Sequence, residues 1–272
     1  MNIADAHCHL ESEEFEGRLD GVLAEARNTG VTQIVTAAVR PEEWAKSKAI
    51  ASATLGAPTC FDGTLAGRDA GAPRISFAWG IHPWYAAEHH FSDLERLATA
   101  AREGAVAIGE IGLDRKIESP AFGLQQRLFE AQLEVACDIN LPVVMHCRGA
   151  FNELVESLRR VGVPKAGGMI HAFSGSVEMA EICLGLGLVF SMGASLSYKP
   201  SKKRLQVLGR IYPDAFLIET DSPDMPPAQA PDKPNVPANI RYNLAGVAAM
   251  LGRTEEEVAE VSMRNAGRLF GF

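Results

Sequence analysis

Short runs of apolar and β-branched residues recur along the chain, and stretches with helical spacing separate them. Eight such runs occur: IADAHCH (3–9), TQIVTAAV (32–39), ISFAWGIH (75–82), AVAIGEIGL (105–113), PVVMHC (142–147), GGMIHAF (167–173), LVFSMGAS (188–195) and FLIETDS (216–222). Residues of this kind in short bounded runs are typical of strands. The pattern therefore predicts eight β-strands.

The segments between these runs carry the helical repeat. In residues 124–139 the apolar positions step by three or four along one face: Leu124, Leu128, Ala131, Val135 and Ile139. Residues 151–162 and 178–187 behave similarly. Strands that alternate with helices imply a parallel sheet with right-handed crossovers, and eight such units predict an α/β fold, a closed (β/α)8 TIM barrel. An open parallel sheet is the alternative.

The length and the loops fit one domain. A chain of 272 residues is normal for a single α/β barrel or doubly wound sheet. Two stretches rich in Gly and Pro, 58–73 and 223–237, are predicted to be long loops after the second and eighth strands rather than linkers between domains. We therefore expect one domain, residues 1–272.

Composition and charge narrow the class of protein. Apolar residues make up 47% of the chain and charged residues 22%, as in an ordinary globular protein. No signal-peptide pattern and no run of about 18 apolar residues occurs, so we expect a cytoplasmic protein without a membrane segment. The 5 cysteines lack paired CxxC spacing, which predicts free thiols. A net charge of −8 argues against broad nonspecific binding of nucleic acid but allows a local site for one phosphate.

The polar residues of greatest chemical interest lie near one end of the predicted strands. In chain order they are His7, His9, His82, Glu110, His146, His171, Glu219 and Asp221. In a barrel the carboxyl ends of the strands form one face, where active sites are built. The sequence therefore predicts that five histidines and several carboxylates converge there.

The N-terminal sequence DAHCHL has the geometry of a ligand pair. At a strand's period of two, Asp5, His7 and His9 project to one side of the sheet. An isolated His-x-His is more often a polar strand end, and a lone histidine such as His171 is more often a hydrogen-bonded core residue. Four histidines with two or three acids, however, can hold two divalent ions when one carboxylate bridges them. Two histidines per ion favour Zn²⁺, Mn²⁺, Ni²⁺ or Fe²⁺ over Mg²⁺ or Ca²⁺.

Seven motifs follow one another in a fixed order along the whole chain: DAHCHL (5–10), GIHP (80–83), IGEIGLD (108–114), PVVMHCR (142–148), HAFSG (171–175), ETDSP (219–223) and SMRNAGRLF (262–270). Through them the chain resembles the TatD-like metal-dependent hydrolases of the amidohydrolase superfamily. The resemblance implies a (β/α)8 barrel with two metal ions. It implies that one ion is held by His7, His9, Glu110 and Asp221, and the other by Glu110, His146 and His171.

Two features depart from the family pattern. Ala172 stands where many relatives have Cys, and PDMPPAQAPDKPNVPANI (223–240) replaces the Arg- and Gly-containing segment that commonly follows the strand-8 acid. That loop should border the substrate. The departures therefore concern the identity of the substrate, whereas the metal residues are intact.

The leading hypothesis is hydrolysis of a phosphodiester. Two ions lower the pKa of a water between them and neutralise charge on the phosphoryl oxygens. With Glu110 as the bridging ligand, Asp221 is expected to orient or deprotonate that water. Glu219 is expected either to support the metal ligands from behind or to be a simple structural acid. His82 and Arg148 are the candidate phosphate-binding residues, although an ordinary salt bridge is the alternative for Arg148.

Two further groups of residues point weakly toward nucleic acid. Lys199, Lys202, Lys203 and Arg204 form a basic run after the seventh strand, which indicates either a track for a phosphate backbone or, more simply, a solvated helix start. Four aromatic residues have the chemistry to stack on bases: Trp79, Trp84, Tyr85 and Tyr198. Core packing or loop anchoring is the expected role of most of them.

The expected substrate is therefore a phosphodiester such as single-stranded DNA, attacked at its ends. A recessed pocket and an acidic protein favour a flexible strand end over a duplex, and the family resemblance suggests trimming from the 3′ end. The alternative is a metal-dependent amide or ester hydrolase, acting for example on an aminoacyl ester. A metal-binding barrel without catalysis is a weaker alternative, because a closed structural site would not need Glu110 and Asp221. No obligate protein partner is indicated.

Overall fold

A computed structural model describes residues 1–54, 72–89, 92–199, 201–231 and 234–272. Its eight strands lie within or overlap the eight predicted runs, and consecutive strands pair in parallel in the order β1 to β8. The strands are β1 Ile3–Cys8, β2 Val31–Ala38, β3 Arg74–Trp79, β4 Ala107–Asp114, β5 Val143–Arg148, β6 Gly168–Ile170, β7 Leu188–Met192 and β8 Phe216–Ile218.

Helices alternate with these strands along the chain, as the pattern predicts. The α-helices of the described residues are α1 Leu19–Asn28, α2 Pro41–Thr54, α3 Ser92–Ala101, α4 Phe122–Ile139, α5 Phe151–Val161, α6 Val177–Gly185, α7 Lys202–Ile211, α8 Ile240–Leu251 and α9 Glu255–Phe270. Short 3-10 helices span Glu13–Phe15, Pro83–Tyr85, Ala194–Leu196 and Pro237–Asn239. None of the described helices is long and apolar enough to cross a membrane.

The sheet curls until its first and last strands meet. Just beyond β8, the backbone N–H of Asp221 donates to the carbonyl of His7 at 3.0 Å, and the N–H of His9 donates to the carbonyl of Ser222 at 2.7 Å. All six residues of β1 are buried, as expected for a parallel strand covered on both faces. The predicted TIM barrel is confirmed, and the open-sheet alternative is wrong.

Helix α4 buries a slightly different face from the one that its apolar residues predict. Leu124, Val135 and Ile139 are only partly buried, whereas Gln125 and Gln132 are buried. Both glutamines bind backbone groups of the barrel, so their burial leaves no amide unpaired. A pattern that counts glutamine as polar places these residues on the wrong face.

Several strands end earlier than their apolar runs. His9 and His171 each lie one residue beyond their strands, Asp221 lies three beyond β8, and His82 lies three beyond β3. Ala172 and Asp221 adopt φ values of +44° and +58°, a left-handed conformation in which a strand cannot continue. These four polar residues therefore lie on the loops at the carboxyl ends of the strands, whereas His7, Glu110 and His146 lie within strands.

The two predicted loops differ in how much of them is described. Residues 55–71, most of the predicted loop 58–73, lie outside the described residues, and the remainder directly precedes β3. The loop 223–237 follows β8, and only residues 232 and 233 of it lie outside the description. Four cysteines of the described residues, Cys8, Cys137, Cys147 and Cys183, are free thiols, as predicted, and Cys60 lies in the part that is not described.

Candidate metal centre

The two histidines at the end of β1 lie side by side at the mouth of the barrel. The rings of His7 and His9 are 4.8 Å apart between centroids. Nδ1 of His9 lies 2.7 Å from the carbonyl oxygen of Ala37 on β2. This hydrogen bond places the ring proton on Nδ1, so Nε2 of His9 keeps its lone pair and faces the cluster.

Glu110 on β4 is the centre of the cluster, and its two oxygens face different histidines. Oε2 lies 3.2 Å from Nε2 of His7 and 3.5 Å from Nε2 of His9. Oε1 lies 2.8 Å from Nε2 of His171 and 3.1 Å from Nδ1 of His146. One carboxylate is thus shared between two pairs of histidines.

A glycine on β4 allows this close approach of β4 and β5. Gly112 has a φ of +144°, and a Cβ atom there would lie 2.0 Å from the carbonyl oxygen of His146. Only a residue without a side chain fits, because any Cβ would collide with the β5 backbone. The glycine therefore lets Glu110 and His146 sit on adjacent strands within contact of each other.

Asp221 completes the β1 side of the cluster. Its Oδ1 lies 3.5 Å from Nε2 of His7 and 3.4 Å from Nε2 of His9. Its left-handed backbone conformation costs on the order of 1 kcal/mol for a residue with a side chain. The backbone hydrogen bond to His7 holds it there, so the carboxylate is directed at the histidine pair.

Asp5 on β1 binds the residue that precedes Asp221. It is fully buried and accepts hydrogen bonds from the backbone N–H of Thr220 at 2.9 Å and from its hydroxyl at 2.5 Å. Burial raises the pKa of Asp5 to about 8, although the bonds from Thr220 oppose that rise. Asp5 therefore ties β1 to the segment that carries Asp221.

The donor set fits divalent cations. Three groups in the described residues bring ligand atoms close enough for one ion: His7 with His9 and Asp221, His7 with Glu110 and His171, and His82 with Glu110 and His146. Two ligands about 2.1 Å from a shared ion in tetrahedral geometry lie roughly 3.4 Å apart, and the nitrogen–oxygen distances here run from 2.8 to 3.5 Å. Nε2 of His7 is fully buried without a hydrogen-bond partner, which a cation would satisfy.

Electrostatics favour ionised carboxylates in the cluster. Burial alone would raise the pKa of Glu110, but the charge of His171 holds it well below its ordinary value. Burial would lower the pKa of His171, yet the charge of Glu110 and their hydrogen bond raise it to about 10. Burial lowers the pKa of His7 to about 4, which leaves that imidazole neutral and ready to ligate.

Glu219 lies behind the cluster. It is fully buried, accepts a hydrogen bond from the backbone N–H of Ala172 at 2.7 Å and another from the hydroxyl of Ser191, and lies 3.9 Å from Nδ1 of His171. Burial raises its pKa to about 7, with His171 opposing the rise. Its side chain contacts the rear of His171 and does not line the pocket.

His82 faces the cluster from the loop after β3. Its Nε2 lies 3.3 Å from Oε1 of Glu110, and its Nδ1 accepts the backbone N–H of Trp84 at 3.2 Å. Burial lowers the pKa of His82 to about 4. The imidazole is therefore neutral, and its proton belongs on Nε2, directed at the cluster.

Arg148, the last residue of β5, stands at the mouth of the pocket. Its side chain is 56% exposed, and one guanidinium nitrogen lies 3.6 Å from Oδ2 of Asp114. This is a long ion pair to a buried partner, so most of the guanidinium remains open to the pocket. His82 and Arg148 thus both reach the space above the metal-ligand cluster.

Sequence reasoning missed several residues that hold this site together. Asp114 accepts hydrogen bonds from Nε1 of Trp84 at 2.8 Å and from the backbone N–H of Lys116 at 2.7 Å, and its Oδ2 lies 3.4 Å from Nε2 of His146. Glu11 is buried 3.6 Å from Nδ1 of His9. The signal was available, because Asp114 ends the motif IGEIGLD and Glu11 continues the period of two beyond His9.

Gln125 and Gln132 of α4 were also missed as positioning residues. Gln132 bonds both the N–H and the carbonyl of Ile81, at 2.7 and 3.0 Å, directly before His82. Gln125 accepts the N–H of Asp114 at 2.9 Å. No local pattern identifies them, since both partners lie on other elements.

The cluster lies at the base of a pocket of about 830 Å³. Pro223, Asp224 and Met225 line it, so the loop after β8 borders the pocket. Asn235 pins that loop, because its side-chain amide donates to the carbonyl of Thr220 at 2.7 Å and to that of Asp224 at 2.9 Å.

The basic run after β7 is a helix start. Helix α7 begins at Lys202 with Ser201 as its N-cap. Lys203 donates to the carbonyl of Ser174 at 2.7 Å, and Arg204 donates to the carbonyl of Ser195. The simpler of the two interpretations therefore describes the local structure.

Proteins similar to this chain include several named hydrolases. The family model described as "TatD related DNase" matches residues 4–271. The chain is 31% identical to the uncharacterized metal-dependent hydrolase YabD of Bacillus subtilis strain 168, over 98% of both chains. It is 30% identical to the 3′-5′ ssDNA/RNA exonuclease TatD of Pantoea vagans strain C9-1, again over 98% of both chains.

Solved structures agree in fold. The TatD homologue YjjV from Escherichia coli K12 superposes with a TM-score of 0.85 at 30% identity, covering 99% of this chain and 98% of that one. A TatD family hydrolase from Entamoeba histolytica superposes with a TM-score of 0.82 at 18% identity, over 99% and 98% of the two chains. At that identity the second match shows the fold alone.

Proposed function

The chain belongs to the TatD-related DNase family and is thus a metal-dependent hydrolase acting on ester bonds, and from that premise we propose that it hydrolyses phosphodiesters at the ends of single-stranded DNA. The relative from Pantoea vagans is named for such an activity on DNA and RNA. Residues 1–272 would form one domain, since β1 near the start packs against α9 near the end through Ala4, Ala6 and Phe270.

The main support for this proposal is that the two carboxylate oxygens of Glu110 face different pairs of histidines. One ion would be held by His7, His9, Asp221 and Oε2 of Glu110, and a second by His146, His171 and Oε1 of Glu110. The mixed nitrogen and oxygen donors suit Zn²⁺, Mn²⁺, Ni²⁺ or Fe²⁺ better than Mg²⁺ or Ca²⁺. When bound, such a pair supplies Lewis acidity for water activation and for neutralising phosphoryl charge.

The protein's own groups would handle the proton and hold the cluster. Opposing the effect of burial, the neighbouring imidazole of His9 and the charge of His171 lower the pKa of Asp221. An ionised Asp221 in the pocket can orient the attacking water and accept its proton. Glu219 would act by positioning His171 from behind, since it reaches neither the pocket nor the substrate.

The substrate phosphate would be held by His82 and Arg148. The neutral N–H of His82 supplies a hydrogen-bond donor beside the cluster, and Arg148 supplies a planar cationic fork at the mouth. The other cations lining the pocket are already paired, because Arg40 contacts Glu43 at 2.7 Å and Lys46 contacts Glu16 at 3.0 Å. The phosphate would therefore approach from the β5 side, where Arg148 stands.

The surroundings of the pocket favour a strand end. The lining carboxylates of Glu11, Glu13 and Asp224 repel additional phosphates, and the loop 223–237 borders the opening. A flexible single strand can present one terminal phosphodiester to such a recess, whereas a duplex requires an extended basic surface. The 3′ direction follows the activity for which the relative from Pantoea vagans is named.

The experiment that tests this proposal compares linear single-stranded DNA, blocked in turn at its 3′ and 5′ ends, with a closed circle of similar composition. The protein is supplied with Mn²⁺, Zn²⁺ or Mg²⁺ in turn. We expect degradation of linear DNA with an open 3′ end and none of the circle. Glu110→Ala serves as the negative control, because it removes a ligand from both ions and should abolish turnover and lower metal content.

Two outcomes would contradict the proposal in different ways. Equal degradation of the circle would show internal cleavage and refute the exonuclease assignment. Hydrolysis of an aminoacyl ester or a small amide, with no attack on any DNA, would replace phosphodiester hydrolysis by the amide or ester chemistry that the same donor set can support.

A further inference from the structure

Among the four aromatic residues singled out in the sequence, Trp84 alone presents an open ring to the pocket. Trp79 is buried and stacks on Trp44, with ring centroids 5.8 Å apart and planes at 16°. Tyr85 lines the pocket, but the guanidinium of Arg40 lies over its ring at 4.9 Å. Tyr198 lies outside the pocket lining.

Trp84 combines exposure with a fixed orientation. The residue is 45% exposed and lines the pocket beside the metal-ligand cluster. Its indole Nε1 donates a 2.8 Å hydrogen bond to the buried carboxylate of Asp114. The rings of His82 and His146 meet the indole at 90° and 72°, with centroids 5.0 and 6.4 Å away. Neither ring lies parallel to the indole, so these contacts orient it without stacking on it.

An exposed indole costs hydration free energy unless a ligand covers it. Here the ring lies next to His82, which we propose as a phosphate contact, and planar nucleobases stack on such rings with little dependence on sequence. We propose that Trp84 is a stacking platform for the nucleobase of a nucleotide adjoining the scissile phosphate. This inference rests on the proposed phosphodiester activity and adds to it a binding site for the base.

A purely structural role for Trp84 makes a different prediction. If the indole served only to cover Asp114, its removal would disturb the site equally for every substrate. A stacking role makes the loss depend on whether the substrate carries a base. The comparison of matched substrates therefore separates the two roles.

The first measurement is kcat/KM for the dinucleotide of thymidine and for two analogues in which either nucleoside is replaced by an abasic tetrahydrofuran residue. The metal-loaded Trp84→Ala protein should lose about 5- to 150-fold more on the dinucleotide than on one abasic analogue. That analogue identifies the stacked base. Trp84→Phe, which keeps an aromatic face, should recover most of the difference, and Ile182→Ala on the outer helix α6 is the surface-truncation control.

The second measurement does not depend on turnover. The chain has 3 tryptophans, of which Trp44 and Trp79 are buried. In the Zn²⁺-loaded protein, thymidine 5′-monophosphate should quench tryptophan fluorescence, whereas inorganic phosphate should not. Trp84→Phe should remove the quenching.

The outcomes separate this inference from the function on which it rests. Hydrolysis of the dinucleotide by the unmodified protein, with equal losses on all substrates in Trp84→Ala, overturns the platform alone. Nucleotide quenching that persists in Trp84→Phe also overturns it. Failure of the unmodified protein to hydrolyse any of these phosphodiesters overturns the proposed function, and the platform with it.

Discussion

Replacing Asp114 by Asn is expected to weaken cation binding at His146 on β5 and His171 just beyond β6. Asp114 faces Nε2 of His146 at 3.4 Å, while Nδ1 of the same ring faces Glu110 at 3.1 Å. Burial would raise the pKa of Asp114, but the hydrogen bonds from His146 and Trp84 hold it below its ordinary value. An ionised Asp114 therefore keeps the ring proton on Nε2 and leaves the Nδ1 lone pair for a cation.

An asparagine of the same shape cannot satisfy all these donors. The carboxylate of Asp114 accepts hydrogen bonds from Nε1 of Trp84 and the N–H of Lys116, and it faces the ring of His146. Trp84 and His146 face Oδ2 and Lys116 faces Oδ1, so the amide nitrogen opposes two donors in one orientation and one donor in the other. A buried unpaired donor costs about 1–3 kcal/mol, and in both orientations His146 loses the charged acceptor that kept its proton on Nε2, so the proton moves more readily to Nδ1. That proton then blocks the metal-binding lone pair.

The expected loss of affinity for one of the two ions is 10- to 100-fold, as for other residues that orient a ligating histidine. This loss corresponds to about 1.4–2.7 kcal/mol of binding free energy. The assay is a Zn²⁺ titration of metal-free protein against a chromophoric chelator. Glu130→Gln is the matched control, since that carboxylate on α4 also accepts a hydrogen bond, from Ser157 at 2.6 Å, but lies outside the pocket lining. Binding of both ions to Asp114→Asn with unmodified affinity would refute the tautomer argument.

Two further predictions address the substrate and the fold. Arg148→Ala should lower kcat/KM for a phosphodiester about 10- to 100-fold, the value of a charged hydrogen bond. Elemental analysis should find a metal content near that of the unmodified protein. A larger loss on an aminoacyl ester than on the phosphodiester would contradict a phosphate role. Gly112→Ala should destabilise the metal-free protein by on the order of 3 kcal/mol in urea unfolding, because the new Cβ lies 2.0 Å from a carbonyl oxygen at a positive φ. The control is Gly185→Ala, which should cost little stability because its Cβ would meet nothing within 4 Å. Equal stability of the two variants would rule out the close approach of β4 and β5.

The sequence by itself determined the barrel and the histidines and acids that gather at its mouth. Strand runs and helical spacing are local properties, and their regular alternation leaves few topologies open. In a parallel barrel, every residue at the carboxyl end of a strand shares one face. For that reason His7, Glu110, His146, His171 and Asp221 could be predicted to meet although they span most of the chain.

Only the tertiary structure decided how these residues are held. Asp114 on β4 and Gln125 on α4 are joined by a hydrogen bond between two different elements. The sequence near either residue does not indicate which residue its partner is. The same is true of the oxygens of Glu110, which face different histidine pairs, and of the close approach of β4 and β5 at Gly112.

The roles of the charged and aromatic residues also depended on tertiary contacts. In the sequence, Trp79 and Trp84 are equivalent aromatic candidates. In the structure Trp79 is buried and cannot face the pocket, whereas a hydrogen bond to Asp114 orients Trp84 toward the pocket. Arg40 lines the same pocket as Arg148, yet Glu43 neutralises it. Burial and pairing are set by neighbours brought together by folding, and a pattern along the chain carries no information about which neighbours those are.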